Sequence, residues 1–185
     1  MALLNTRAAR RGREKPVRPE IPREITCCFS GYRPQKLPWG TNEDDPRCAD
    51  LKDRIAAAAE ALYASGIRHF ICGMALGADT YFCEAVLALR DEHPDITVEA
   101  ALPCEGQYRD WTPEQRYRHL MLVSRCDFET LVSRRYTREC MRVRNRYMVD
   151  NSSVLLCVYD GRAGGTMQTL TYAREQGLEL IELTP

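Results

Sequence analysis

From residue 25 onward, short apolar runs ending near glycine or proline alternate with stretches of helical spacing, and this alternation limits the fold more than any other feature. The runs are Ile25–Ser30, His69–Cys72, Ile96–Leu102, Phe128–Ser133, Val154–Tyr159 and Leu178–Leu183. Val154–Tyr159 is apolar throughout rather than at every second position. Strands of that kind are covered on both faces, which points to a parallel sheet between two helical layers. Asp50–Ser65, Ala78–Asp91, Pro113–Ser124, Thr137–Asp150 and Gly165–Gln176 read as the intervening helices. In the first of them Leu51, Ile55, Ala58, Ala59 and Leu62 share one face, and Gly66 stops it. The pattern predicts an α/β fold: a doubly wound, mainly parallel sheet of about six strands with helices on both faces.

Length and charge narrow the partners. A chain of 185 residues suits about one domain. Residues 1–24 carry seven basic and three acidic side chains, a charge of +4, so the neutral chain leaves −4 on residues 25–185. The first stretch, with prolines at 16, 19 and 22, reads as a basic, poorly ordered leader, and the second as a single domain. A −4 domain is a weak candidate for nucleic acid by bulk charge, although Arg134, Arg135, Arg138, Arg142 and Arg146 cluster locally. No apolar run approaches the roughly 20 residues of a membrane helix.

The nine cysteines include no C-x-x-C pair, and most fall in apolar segments, where the thiol acts as a small hydrophobe. No metal site is expected. With no apolar signal segment among residues 1–24, a reduced, cytoplasmic setting is expected.

Ligands of open α/β sheets bind beyond the carboxyl ends of the strands, so the loops there carry the functional reading. Gly31, Tyr32 and Arg33 follow the first strand, with Arg33 as an anion ligand. Gly73 and Gly77 punctuate the loop after the second, just before Asp79 in a helical first turn. Free N–H groups there favour a phosphate. Asp79 would either meet a ribose hydroxyl or complement the helix dipole. Pro103, Cys104, Gln107 and Trp111 follow the third strand as pocket-lining candidates. Asp160 follows the fifth, ahead of Gly164, Gly165 and Thr166, a second glycine loop opening a helix. Asn145 lies on an inward stripe of the preceding helix beside Arg144 and wants polar partners.

Taken in order, Phe29-Ser30-Gly31-Tyr32-Arg33-Pro34, Gly73-x-x-x-Gly77-x-Asp79, Leu102-Pro103-Cys104, Arg144-Asn145-x-x-Met148-Val149-Asp150 and Gly164-Gly165-Thr166 resemble the SLOG superfamily. The resemblance is to its YpsA-like branch of bacterial and phage proteins and spans about residues 25–185. It implies a Rossmann-like domain whose pocket takes a nucleotide or nucleotide-derived ligand, with no further cofactor required. Gly31, Arg33, Gly73, Gly77, Asp79, Gly164, Gly165 and Thr166 would line that pocket, and Arg144 and Asn145 would be its helix-borne polar pair. Enzymatic LOG-type relatives, which cleave a base from a nucleoside monophosphate, carry a glutamate three residues after the loop threonine. Here that position is Thr169, which supplies no carboxylate. The expectation is therefore a binding or sensing module. A hydrolase using Asp79, Glu105 or Asp160, and a single-strand nucleic-acid binder like the DNA-processing relatives, are the rival readings. Apolar helix faces are also compatible with a homo-oligomer.

Overall fold

A computed structural model describes residues 16–185. Six strands, β1 (Thr26–Ser30), β2 (His69–Cys72), β3 (Thr97–Leu102), β4 (Phe128–Leu131), β5 (Val154–Val158) and β6 (Glu179–Leu183), pair entirely in parallel. Their order across the sheet is β4-β3-β2-β1-β5-β6. Five helices connect them: α1 (Pro46–Ala64), α2 (Ala78–Glu92), α3 (Pro113–Arg125), α4 (Cys140–Asp150) and α5 (Gly165–Glu175). The chain moves outward from β1 to β4, then crosses back to lay β5 against the other side of β1. Two loops therefore diverge at the carboxyl ends of β1 and β5, the kind of switch point that opens a binding crevice.

Side-chain alternation along the strands builds two cores. Cys27, Phe29, Phe70, Val98 and Leu156 pack with α1, α2 and α3 on one face. Cys28, Ile71, Leu155 and Cys157 pack with Met148 and Val149 of α4 and Leu170 and Ala173 of α5 on the other. All nine cysteines are free and buried, most of them in these cores. The sulfurs of Cys83 and Cys126 are 4.0 Å apart, far from a bond. Among the described residues no group of three His, Cys, Asp or Glu is placed to hold a metal, and no helix is long and apolar enough to cross a membrane.

The leader reading divides. Residues 1–15 lie outside the described residues. Residues 16–24, assigned to the leader by composition, lie against the domain. Arg23 donates to the carbonyl of Ser152 at 3.0 and 3.1 Å. Arg18 Nε sits 2.6 Å from Glu99 Oε2, a carboxylate with no side-chain exposure. Glu99 also receives the Tyr147 hydroxyl at 2.6 Å and faces His69 Nε2 at 3.0 Å. Although burial opposes ionisation, the bonds from His69, Thr130 and Tyr147 hold the Glu99 carboxyl below its usual range. Removing residues 1–24 leaves that buried charge without its arginine. Thermal unfolding of residues 25–185 is expected to show a loss of about 1–3 kcal/mol relative to residues 16–185. Equal melting temperatures for the two chains would refute the anchoring role.

Candidate functional site

Where β1 and β5 diverge, a cleft of about 260 Å³ opens. Gly31, Tyr32 and Arg33 from the β1 loop, Asp79 from α2, Arg144 and Asn145 from α4, and Gly165 and Thr166 from α5 all line it. Seven of the ten residues assigned to ligand binding and one of the six assigned to the wall thus meet here.

The floor is a buried charge pair laced to backbone. The Arg144 guanidinium donates to the Gly73 carbonyl and, at 3.4 Å, to Ala101; its Nε donates to Asn145 Oδ1 at 2.8 Å. Asp79 accepts the Gly31 and Ala75 N–H groups, each at 3.2 Å, one on each carboxylate oxygen. Burial pushes the Asp79 carboxyl up, and Arg144 works against that rise. Gly73 makes the arrangement possible. A Cβ there would lie 2.4 Å from an Arg144 nitrogen and 2.7 Å from Asp79 Oδ2. Gly73 therefore houses the pair beneath the loop and does not face the cleft.

The rim is held by bonds between the two loops. Tyr32 donates its hydroxyl to Asp160 Oδ1 at 2.6 Å, and Arg162 grips the same carboxylate at 2.6 Å. Those two groups hold Asp160 well below the usual carboxylate range, so its oxygens serve loop structure. Lys36 Nζ donates to the Ala163 carbonyl at 2.6 Å, and Arg162 donates back to the Lys36 carbonyl at 2.7 Å. Lys36 and Gln35 line the cleft too and escaped the sequence reading. Lys36 comes three residues after Arg33, but its partner is 127 residues away, so no local pattern announces it.

Several expected site residues lie elsewhere. Gly77 has a φ of +90°, and its backbone abuts the Tyr32 carbonyl from the far side of the β1 loop. Gly164 packs under Lys36 rather than lining the cleft. Pro103 and Cys104 are buried in the β3 loop. That loop cannot reach the switch point because β2 stands between β3 and β1. Burial pushes the Cys104 thiol up, the wrong direction for a nucleophile. Gln107 donates to the Met74 carbonyl at 2.8 Å, and Trp111 lines a separate cleft of about 150 Å³ with His119 and Arg118.

What remains uncommitted in the main cleft is suited to an anion. The opening turn of α5 has no side-chain cap, so the N–H groups of Gly165, Thr166 and Met167 have no intrahelical acceptor. Arg33 has only a soft contact, 3.9 Å to the Met141 sulfur. Free N–H groups, the helix dipole and two cations converge on one opening. Thr169, at the position of the enzymatic glutamate, points its hydroxyl into helix packing. It accepts from Asn145 at 2.7 Å and donates to the Gly165 carbonyl at 2.9 Å. Both ends of Asn145 are thereby satisfied, which accounts for an asparagine on this inward stripe.

The chain is similar to several known proteins. The SPbeta prophage-derived protein YoqJ of Bacillus subtilis is 31% identical over 156 residues, covering 76% of this chain and 91% of YoqJ. A UPF0398 protein of Bacillus thuringiensis is 24% identical over 153 residues, covering 82% of this chain and 83% of its own length. Among solved structures, DNA processing protein A of Helicobacter pylori, a single-stranded DNA binder, matches with a TM-score of 0.59 at 15% identity over 85% of this chain. The Streptococcus pneumoniae protein of the same name matches with 0.57, also at 15% identity, over 86% of it. The chain spans 64% and 50% of the length of those two structures, so the likeness is one of fold. A model of the YpsA family, described as the YspA SLOG family, matches residues 27–179. With five-sixths of its length inside that match and its switch-point cleft built from the expected loops, the chain belongs to the YspA SLOG family.

Proposed function

We propose that the protein binds a nucleotide or nucleotide-derived ligand in the β1–β5 cleft and works as a sensing or regulatory module. The observation that carries this reading is the uncapped start of α5, facing Arg33 and Lys36 across the cleft. A phosphate there meets the Gly165 and Thr166 N–H groups and both cations. Catalysis finds less support. Asp79 is the one carboxylate lining the cleft among the described residues, and both its oxygens are engaged by backbone N–H groups. Release of free base from AMP, abolished by Asp79→Asn, would overturn the binding-only reading.

The test is a thermal-shift screen of the full chain against AMP, ADP-ribose, NAD and cyclic dinucleotides. Ligand at about 100 times its Kd stabilises by roughly 2.7 kcal/mol, which for a chain of this size raises Tm by on the order of 5–10 °C. Gly165→Trp is expected to abolish the shift without lowering the ligand-free Tm. Beyond its chain neighbours and its own helical turn, nothing lies within 4 Å of a Cβ built at Gly165, which lines the cleft, so the indole enters the cleft rather than the core. A well-folded protein that shifts with none of these ligands would refute the proposal.

A second reading, single-stranded nucleic acid, is favoured by Arg142 and Arg146, one turn apart on α4, together with Arg138 just ahead of the helix, all three lining a groove beside the cleft. Three phosphate contacts predict a slope near −2 for log K against log salt. Affinity that does not change with salt excludes it.

A further inference from the structure

The cleft does not close behind Gly165. Met141, Asn145 and Gly165 are shared walls between it and a groove of about 700 Å³ lined by α4 and α5. We infer that this groove is a second subsite, which receives the second nucleoside unit of a phosphate-linked dinucleotide whose first phosphate sits at the start of α5. The inference rests on the proposed reading of the cleft and adds the ligand's size.

Three observations support it. The first is space. Small-molecule sites usually offer about 300–1,000 Å³. At about 260 Å³ the cleft alone falls short, whereas the adjoining groove supplies most of a larger ligand's room. The second is unspent polar chemistry. Arg138, Gln168 and Thr171 line the groove and, among the described residues, make no side-chain hydrogen bond or ion pair. The third is charge balance. Arg142 is paired with Glu139 at 2.5 Å, and Arg146 lies 4.9 Å from the centroid of the Tyr172 ring, while Glu175 stands on the opposite wall. Two carboxylates in the groove oppose a long polyanion. They suit a unit with one anionic linkage, held by Arg138, and with hydroxyl or amino donors for Glu175.

The test measures affinities of the full chain for 5′-AMP, the dinucleotide pApA, NAD and a 5′-phosphorylated octa-adenylate. A second engaged subsite is expected to make pApA or NAD at least about tenfold tighter than AMP, and the two separate a phosphodiester from a pyrophosphate linkage. Thr171→Trp, on the exposed side of α5, fills the groove, and Arg138→Glu reverses its free charge. Each should bring the dinucleotide down to the affinity of AMP and leave AMP itself unchanged. If AMP binds and neither dinucleotide gains, the subsite is refuted and the cleft reading stands. If none of the four binds, both are refuted. If the octamer gains well beyond the dinucleotides, the groove is a polyanion track and the two-unit limit is wrong.

Discussion

Arg144→Ala is expected to destabilise the protein by about 3–5 kcal/mol, the usual cost of leaving a buried charge without its compensating partner. Arg144 is 4% exposed, so water does not readily replace its guanidinium. Its loss strips a donor from the Gly73 and Ala101 carbonyls and leaves the buried Asp79 carboxylate without its cation. Thermal unfolding should show Tm falling by on the order of 10 °C. The deficit will depend on pH, with a sign that identifies Asp79 as the cause. Its folded carboxyl already sits above the unfolded value, and without Arg144 it climbs further. The folded variant then holds a proton that the unfolded chain has released, so stability falls as pH rises between the two pKa values. The deficit against the parent protein should be greatest near neutrality and shrink toward pH 4. Arg144→Met combined with Asp79→Asn removes both charges and should be less damaging than the sum of the single changes. A Tm within 2 °C of the parent for Arg144→Ala would refute this account of the pair. If the account holds, loss of ligand binding in that variant reports a damaged floor, and Arg33 becomes the informative residue for anion recognition.

That pair also marks where the sequence stops being readable. The alternation of apolar runs with helical spacing specifies the architecture, because only a two-sided parallel sheet accepts strands such as Val154–Val158. Helix ends are less legible, though α1 was announced by signals that apolar periodicity overlooks. It begins at Pro46, four residues ahead of the expected start, because Asp45 accepts from the Arg47 N–H and proline suits the first turn. The α4 start is later than expected, at Cys140 instead of Thr137. For the site, residue types point to the right loops, and the two loops of the switch point do meet. What residue types cannot give is the direction in which a long side chain turns. Arg144 could as well have faced a ligand, and it faces the Gly73 carbonyl. Nor does the order of strands along the chain reveal their order across the sheet. The β3 loop has the same composition signals as the others, yet its strand stands two places from β1, and Cys104, Gln107 and Trp111 go with it.

The second large effect lies in that displaced region. Between pH 6.5 and 4 the protein is expected to lose roughly 3 kcal/mol through His119 alone. The ring is 5% exposed, edge-on to Trp111 at 5.2 Å and tilted against Tyr108 at the same distance. Desolvation in this aromatic wall lowers its pKa to about 4, and a bond to the Met74 carbonyl offsets only part of that. An unfolded histidine titrates near 6.5. Above that pH both states are neutral and the stability is fully present. As pH falls from 6.5 to 4, the unfolded chain gains a proton that the folded ring refuses, and the balance shifts toward unfolding. Carboxylates add their own acid dependence, so the informative quantity is a difference. His119→Phe keeps an aromatic ring and removes the titration. The Met74 carbonyl stays satisfied because Gln107 also donates to it, at 2.8 Å. Urea unfolding of both proteins at pH 7.5 and 4.5 should find the variant gaining on the parent by on the order of 2 kcal/mol at the lower pH. An unchanged difference between the two pH values would mean that the folded ring accepts a proton as readily as the unfolded one, and that the wall of Trp111 and Tyr108 is open to water.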